Sequence, residues 1–591
     1  MNPATTSTFV LPERLAAKAD PALISADERH FARIADTLGH ELADLAERLD
    51  ALRRAPGGHG QQALERDLEI HRLSARLRTL RRFSLDLCLG RIVEADAAEP
   101  VYIGRLGLAD REGRRLLVDW RAPAAEPFFA ATYADPRGLA SRRRYRWSRG
   151  RITDYWDEAF APDGGDGPAG RLALDDDSAL IASLGASRSP RMRDVLATIQ
   201  ADQDAIIRAG SRGALVVDGG PGTGKTVVAL HRAAYLLYSD PRLGHRRGGL
   251  LFVGPSRPYL SYVADVLPSL GEEGVQTCTI RDLVPEGAAA AHEPDPDVAR
   301  LKSSGRLLDA VEAAVRQYEQ PPTDELTVET PWGDVHVGAE EWAVAFDAAA
   351  SAGPHDEARD EVWRELLDLL VERIDDPDEM PPAALRAWLE QTDGLRTMLR
   401  RAWPMLDPVG VVADLWSSPE HLHRCAPWLA PDEVHALQRD DPRAWTVEDL
   451  PFLDAARQRV GDPEAARRRR EADAAARAQR DRMADVVDDL IAADDSDLML
   501  MSMLRVEDAQ ESLFDDSALP AADPDLLAGP FAHVVVDEAQ ELTDAEWRML
   551  LRRCPSRSFT IVGDRAQARH GFTESWRDRL ARVGLSRVEL A

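Results

Sequence analysis

The stretch of this chain with the most legible chemistry is Gly219-Gly220-Pro221-Gly222-Thr223-Gly224-Lys225-Thr226, which fits G-x-x-x-x-G-K-S/T without a gap. The residues before it, Gly213 to Asp218, read as a short buried strand. Those after it, Val227 to Tyr238, carry an apolar helical face with neither Pro nor Gly. Strand, glycine loop and helix make a phosphate cradle: glycines let backbone N–H groups converge on an anion, and the helix N-terminus adds partial positive charge. Lys225 is expected to reach the β- and γ-phosphates of a nucleotide, and the Thr226 hydroxyl to bind Mg²⁺. A second run, Phe531 to Glu538, reads as a buried strand ending in two carboxylates. Asp537 is expected to hold the Mg²⁺ shell and Glu538 to polarise an attacking water as general base. Gln567 closes Gly563-Asp564-Arg565-Ala566-Gln567, behind a strand over Arg557 to Val562, and is expected to touch the γ-phosphate. In an open parallel sheet such loops converge at the carboxyl ends of the strands.

These pieces sit in a chain of 591 residues, long enough for two to four domains. Its formal net charge is −29. Nucleic-acid binding rests largely on Lys and Arg at phosphates, so the balance leans towards a protein partner with basic surfaces, unless the acidity serves solubility alone. No apolar run reaches the ~20 residues needed to span a bilayer, and Met1 to Val10 lacks the build of a secretory signal. Cys88, Cys278, Cys425 and Cys554 are far apart and form no C-x-x-C pair. The expectation is a soluble, cytoplasmic chain without a membrane partner.

Before the glycine loop, Ser25-Ala26-Asp27-Glu28 reads as a capping box. Phe31, Ile34, Leu38, Leu42, Leu45, Leu49 and Leu52 then follow at helical spacing up to Arg54. Pro56 to Gly60 breaks the pattern, and Leu64, Leu68, Leu73, Leu77 and Leu80 mark a second helix. Together they predict an antiparallel coiled-coil hairpin about 40 Å long. From Val101 the period becomes that of strands, giving a small β module. Its segment Arg142, Arg143, Arg144, Tyr145, Arg146, Trp147 and Arg149 reads either as a nucleic-acid patch or, more commonly, as an Arg-rich exposed strand face. Residues 158–189 read as a linker, and Met192 to Ile207 as an amphipathic helix. Leu250 to Val253 reads as a core strand. Residues 286–480 are mostly helical with many Pro breaks, interrupted by a hairpin from Leu326 to Val337 around Trp332-Gly333. Arg467 to Arg470 reads as a solvated helix face. Residues 481–528 mix acidic and apolar groups, as a loop that orders on a partner would.

The motif set resembles that of the UvrD/Rep-type superfamily 1 helicases. Gly219 to Thr226 matches motif I, Asp537-Glu538-Ala539-Gln540 motif II, Gly563 to Gln567 motif III and Val253 to Arg257 motif Ia. Gln203 stands at the family's adenine-reading position, with Gln200 the weaker choice. A closer resemblance, to the HelD family, runs through the helical hairpin, Leu87 to Arg91, Tyr102 to Leu108, Val118 to Pro123 and Trp445 to Asp454. The resemblance implies an α/β fold: a RecA-like P-loop NTPase parallel sheet with helices on both faces, with the arm, the β module and the helical insertion added. It implies an arm over 1–95, a β module over 96–165 and a first RecA-like part over 166–285. An insertion over 286–480, the acidic loop over 481–528 and a second RecA-like part over 529–591 complete the division. ATP and Mg²⁺ are the implied cofactors. Gln203, Gly219, Gly220, Pro221, Gly222, Thr223, Gly224, Lys225 and Thr226 would bind ATP. Thr226 and Asp537 would hold the metal, and Lys225, Glu538 and Gln567 would act in hydrolysis. The implied partner is bacterial RNA polymerase core, with the arm over 25–90 in the secondary channel and the loop 481–528 a candidate for the primary channel. Turnover would free stalled complexes. DNA is a second candidate partner. Motifs IV to VI and their arginine fingers are not found before Ala591, so residues 1–591 alone are expected to bind nucleotide weakly and hydrolyse it slowly. The rival readings are a superfamily 1 DNA helicase or translocase, and a non-catalytic polymerase-binding fragment.

Overall fold

The computed structural model describes residues 7–55, 61–82, 85–97, 99–148, 150–160, 196, 199–243, 249–264, 266–270, 275–349, 353–373, 381–461, 527–569 and 572–591. It divides into two compact units. The first is Met1–Ile280, Leu526–Leu542 and Leu551–Ala591; the second is Arg281–Asp525 and Thr543–Leu550.

The first unit opens with helix α1 (Pro21–Arg54). Its start lies upstream of the capping box expected at Ser25. Pro21 takes the first helical position, where no N–H is needed, and Asp20 accepts from Ala22 N at 2.9 Å. Asp27, read from sequence as part of a cap, is instead turned into the protein and is 1% exposed. Helix α2 (Gln61–Arg82) runs antiparallel to α1. Arg76 pairs with Glu41 at 2.9 Å and Arg48 with Glu69 at 3.3 Å, while Leu38, Leu45 and Leu49 join Leu73, Leu77 and Leu80 in one apolar cluster. The Pro56–Gly60 break lies outside the described residues.

The helix pair is rooted on a six-stranded sheet of order β3-β4-β2-β1-β5-β6. Its strands are β1 (Cys88–Glu94), β2 (Val101–Gly104), β3 (Leu108–Ala109), β4 (Arg115–Asp119), β5 (Leu139–Ser148) and β6 (Arg151–Ala159). All pairings are antiparallel except β2 with β4. β1 lies inside residues 1–95, the span that the sequence reading gives to the arm. Gly90 lets β1 sit deep in the sheet: a Cβ there would come within 2.2 Å of the Arg143 carbonyl and 2.6 Å of the Phe128 ring.

The Arg-rich strand β5 overturns both sequence readings, because Arg142, Arg143 and Arg144 are buried. Arg143 forks onto Asp157 at 2.6 and 2.7 Å, reaches Asp27 at 2.8 Å, and lies 4.2 Å from the Tyr155 ring centroid. Arg142 bonds Glu158 at 2.5 Å and the Phe128 carbonyl at 2.7 Å. Asp27 also accepts from Tyr102 at 2.7 Å and lies 3.1 Å from Arg91. The guanidinium groups therefore serve internal carboxylates that tie α1 to the sheet. Sequence alternation could not show this, because the partners come from α1 and β6. Arg149 and most of the linker over 158–189 lie outside the described residues.

The second sheet is wholly parallel. It takes β7 (Ala214–Asp218), β8 (Leu250–Val253) and β9 (Gln276–Cys278) from before the second unit. The second unit itself holds the hairpin β10 (Leu326–Thr330) and β11 (Gly333–Val337). After it come β12 (His533–Val536), β13 (Phe559–Gly563) and β14 (Val588–Leu590). The order is β14-β7-β13-β12-β8-β9. The inner strands β7, β8, β12 and β13 are largely apolar and buried, as strands covered on both faces must be, whereas the edge strands β9 and β14 are more polar and more exposed. The terminal strand β14 beside β7 has no strand signal strong enough to read from sequence.

A directed chain of hydrogen bonds crosses this core. Arg232, fully buried on the helix Lys225–Ser239, donates to the carbonyls of Ile206, Ala209 and Gly210 at 2.6–2.9 Å, closing the end of the helix Ala201–Arg208. Its Nε also donates to the Thr560 hydroxyl at 2.9 Å. That leaves the Thr560 proton for His533 Nε2 at 2.9 Å, so His533 carries its proton on Nδ1 and gives it to Ser558 Oγ at 2.7 Å. Ser558 in turn donates to the Ser211 carbonyl. Burial, reinforced by Arg232, pushes His533 down to about 3, and burial pushes His231 down to about 4. Both pKa values are depressed on folding. Their contribution is therefore present above the unfolded value near 6.5 and is lost as pH falls towards the folded values. The expected result is a melting temperature that drops between pH 6.5 and 4, each histidine contributing on the order of 3 kcal/mol to the loss. Thermal unfolding of His231→Gln across that range checks it, the variant showing the shallower slope.

The second unit is mostly helical. Its prolines, which read as breaks in the sequence, are helix starts: Pro296, Pro382, Pro408, Pro419 and Pro431 each open a helix. One core packs Trp342, Phe346, Val362, Leu366, Leu385, Leu399 and Trp403 under the hairpin residues Val328 and Val337. The fully buried Lys302 is neutralised by Glu293 at 2.6 Å and Asp449 at 2.9 Å. The acidic segment 481–528 lies outside the described residues except for its last two, as does Arg467 to Arg470. Among the described residues no helix is long and apolar enough to cross a membrane.

Candidate nucleotide and metal site

The parallel sheet delivers three loops to one edge. At the carboxyl end of β7 the chain enters the glycine loop and then the helix Lys225–Ser239. At the end of β12 come Asp537 and Glu538, and at the end of β13 come Gly563 and Asp564. Because β13 lies between β7 and β12, its loop sits between the other two.

Gly222 and Gly224 take φ of +79° and +83°, conformations that an L side chain rarely adopts. Nothing lies within 4 Å of a Cβ built on Gly220 or Gly222, so this side of the loop is open. The Lys225 ammonium donates to the carbonyls of Gly219 at 2.5 Å and Gly220 at 2.8 Å, and stands 3.9 Å from Asp564 Oδ2. The lysine thus closes the loop on itself and must leave these carbonyls to reach a phosphate. Pro221 and Thr223 are exposed on the loop, and the Thr223 hydroxyl donates to the Gly220 carbonyl at 3.0 Å.

Thr226 donates through its hydroxyl to Asp537 Oδ2 at 2.8 Å, across 311 residues of sequence. Asp537 is 4% exposed; burial pushes its carboxyl up, against the hydrogen bonds that hold the charge. Oδ1 accepts from Glu538 N at 2.9 Å. Tyr259 donates to Oδ2 and lies 3.4 Å from Thr226 Oγ1. Among the described residues no group of three or more His, Cys, Asp and Glu is placed to hold a metal ion. The hard oxygens of Thr226 and Asp537 nevertheless fit Mg²⁺, which takes few protein ligands and completes its shell with water and phosphate oxygens.

Glu538 follows with φ +55°, a left-handed conformation uncommon outside glycine, Asn and Asp. Gln540 holds it: Nε2 donates to Glu538 Oε2 at 2.6 Å, while Oε1 accepts from Asp564 N at 3.0 Å. Asp564 then accepts from Gln567 Nε2 at 2.6 Å. Gln567 is exposed and faces Asp564 rather than Lys225. Gln540 thus locks the loops after β12 and β13 together. Its presence in the Asp-Glu-Ala-Gln run was the only sequence signal for it; Tyr259 had none.

The helix expected over Met192 to Ile207 begins at Ala201 instead, and most of 192–198 lies outside the described residues. Gln200 is extended and caps it, and its N–H is taken by Gln203 Oε1 at 3.2 Å. Gln203 Nε2 donates to the Thr223 carbonyl at 3.0 Å, so Gln203 rests on the glycine loop.

Residues 24–172 match a family model described as the N-terminal domain of the DNA helicase IV HelD. Over that stretch, which holds the helix pair and the antiparallel sheet, the chain is HelD-like. The match ends before the glycine loop. No curated protein matches the chain.

Proposed function

We propose that this chain is a HelD-like, helicase-type factor that binds ATP with Mg²⁺, hydrolyses it, and acts on bacterial RNA polymerase to release or recycle stalled complexes. The observation that carries the nucleotide part is the 2.8 Å bond from Thr226 to Asp537, which joins the glycine loop to the acidic strand end. When bound, Mg²⁺ would be held by Thr226 and Asp537 and would neutralise charge on the phosphates. Lys225, released from Gly219 and Gly220, pairs with the β- and γ-phosphates, and the N–H groups of the loop and helix start take the rest. Gln203, beside the loop, reads the adenine edge. Glu538 takes a proton from the attacking water as that oxygen bonds the γ-phosphorus and the bond to the bridging oxygen breaks. Gln567 turns from Asp564 towards the γ-phosphate. Gln203→Ala is expected to raise the ATP dissociation constant about tenfold and leave that of GTP unchanged, as loss of a base-reading hydrogen bond should. Competition binding checks this.

The polymerase part is supported by the helix pair, the family match and the net charge of −29. Burial of Arg142, Arg143 and Arg144 takes three arginines of β5 away from a nucleic-acid reading. The test is retention by core RNA polymerase of the full chain and of a chain with residues 46–71 replaced by a short Gly-Ser link. That deletion spares Phe31, Ile34, Leu77 and Leu80, which root the helices. Retention of the full chain alone is expected. Failure of both to bind, with ATP hydrolysis strongly stimulated by single-stranded DNA, would replace this reading with a DNA translocase.

A further inference from the structure

Tyr259 belongs to no motif that the site uses, yet its phenol reaches the centre of it. The side chain leaves the first turn of the helix Arg257–Val263, whose N-terminus is capped by Ser256 Oγ accepting from Tyr259 N at 3.3 Å. The ring lies against Gly254, where a Cβ would come within 2.9 Å of Tyr259 Cδ1. The phenol is thereby held at Asp537 and donates to Oδ2.

The hydrogen-bond inventory of Asp537 gives this contact a consequence. A carboxylate oxygen offers about two lone-pair directions. At Oδ2 both are taken, one by Thr226 and one by Tyr259, while Oδ1 already accepts from Glu538 N. Thr226, as the donor to Oδ2, keeps its own lone pairs for another ligand. A hydrated Mg²⁺ engages such an aspartate either directly or through a water that donates to it. Oδ1 keeps one direction open beside the bond from Glu538 N, but a metal seated with Thr226 meets Asp537 at Oδ2, the oxygen that Thr226 bonds; there a metal-borne water and the Tyr259 phenol are two donors, or ligand and donor, for one acceptor position.

We propose that Tyr259 is a positioning residue of the metal seat: its phenol holds Asp537 Oδ2 beside Thr226 when no metal is bound, and gives up that position when Mg²⁺-nucleotide enters. The inference rests on the reading of this site as a Mg²⁺-nucleotide site. Tyr259 then sets how much Mg²⁺ is needed, and metal loading is coupled to the segment Gly254–Tyr259 that follows β8.

The experiment uses the full chain and a fluorescent, non-hydrolysable ATP analogue, titrated with Mg²⁺ and, in parallel, with the nucleotide in EDTA. Tyr259→Phe keeps the ring on Gly254 and removes only the donor. The expected result is a Mg²⁺ half-saturation about tenfold lower than in the parent chain, with affinity for metal-free nucleotide unchanged within about twofold, the usual scale of one hydrogen bond. A second measurement, melting in EDTA and in Mg²⁺ with nucleotide, is expected to show Tyr259→Phe less stable than the parent without metal and more strongly stabilised with it. An unchanged or higher Mg²⁺ requirement in Tyr259→Phe overturns the proposal while the parent still shows Mg²⁺-dependent binding. A parent chain whose nucleotide binding ignores Mg²⁺ overturns the reading of the site itself.

Discussion

Lys225→Met is expected to lower ATP hydrolysis by about 10²–10³-fold, the usual cost of removing one preorganised charge from a phosphoryl-transfer site. The side chain is 11% exposed, and its ammonium is placed by the Gly219 and Gly220 carbonyls at 2.5 and 2.8 Å. Methionine keeps most of the apolar stem of lysine and loses the charge together with the N–H donors that bond Gly219 and Gly220. In the proposed role the ammonium would pair with phosphates already in the ground state, so the loss is expected in nucleotide affinity as well as in rate. Glu538→Gln provides the contrast. The amide keeps the size of the side chain and can still bond Gln540, but it cannot take a proton. Turnover is expected to fall by about 10²–10⁴-fold while nucleotide stays bound. Phosphate release measured beside equilibrium binding separates the two variants. Equal turnover in Glu538→Gln and the parent would remove Glu538 from the role of base.

The largest expected effect on stability is at Arg143. Arg143→Met should cost about 3–5 kcal/mol, because breaking a buried ion pair from one side leaves charge without compensation. Two carboxylates are at stake: Asp157 and Asp27, with side chains 0% and 1% exposed. Asp27 would retain Tyr102 and Arg91, whereas Asp157 would lose its fork of two bonds. The joint between α1 and the sheet should loosen as a result. Denaturant unfolding checks the magnitude, and Arg143→Met with Asp157→Leu is expected to recover part of the loss. A measurable fall in nucleic-acid affinity in Arg143→Met without a fall in stability would contradict the internal role.

The contrast between those sites shows where sequence is informative. The glycine loop was legible because its spacing and flanks are local: β7, the loop and the helix Lys225–Ser239 are consecutive, and each residue type answers a local demand on φ or on phosphate binding. β12 and β13 were legible for the same reason, as apolar runs closed by acidic turns. The hairpin of β10 and β11 followed from Trp332-Gly333 between alternating residues. Reading β5 needed more than that. Its arginines are of the same type whether they meet solvent, phosphate or buried carboxylates, and their partners come from α1 and β6.

By itself, then, the sequence determined that a glycine loop runs from a strand into a helix, that an acidic strand end accompanies it, and that both strands belong to one parallel sheet. The tertiary structure decided which group meets which: Thr226 on Asp537, Gln540 between Glu538 and Asp564, Gln203 rather than Gln200 on the loop, and Tyr259 on Asp537. The physical reason is range. Backbone conformation and apolar periodicity are set within a few residues, whereas a hydrogen bond between Thr226 and Asp537 depends on the stacking of β7, β13 and β12, which no local pattern encodes.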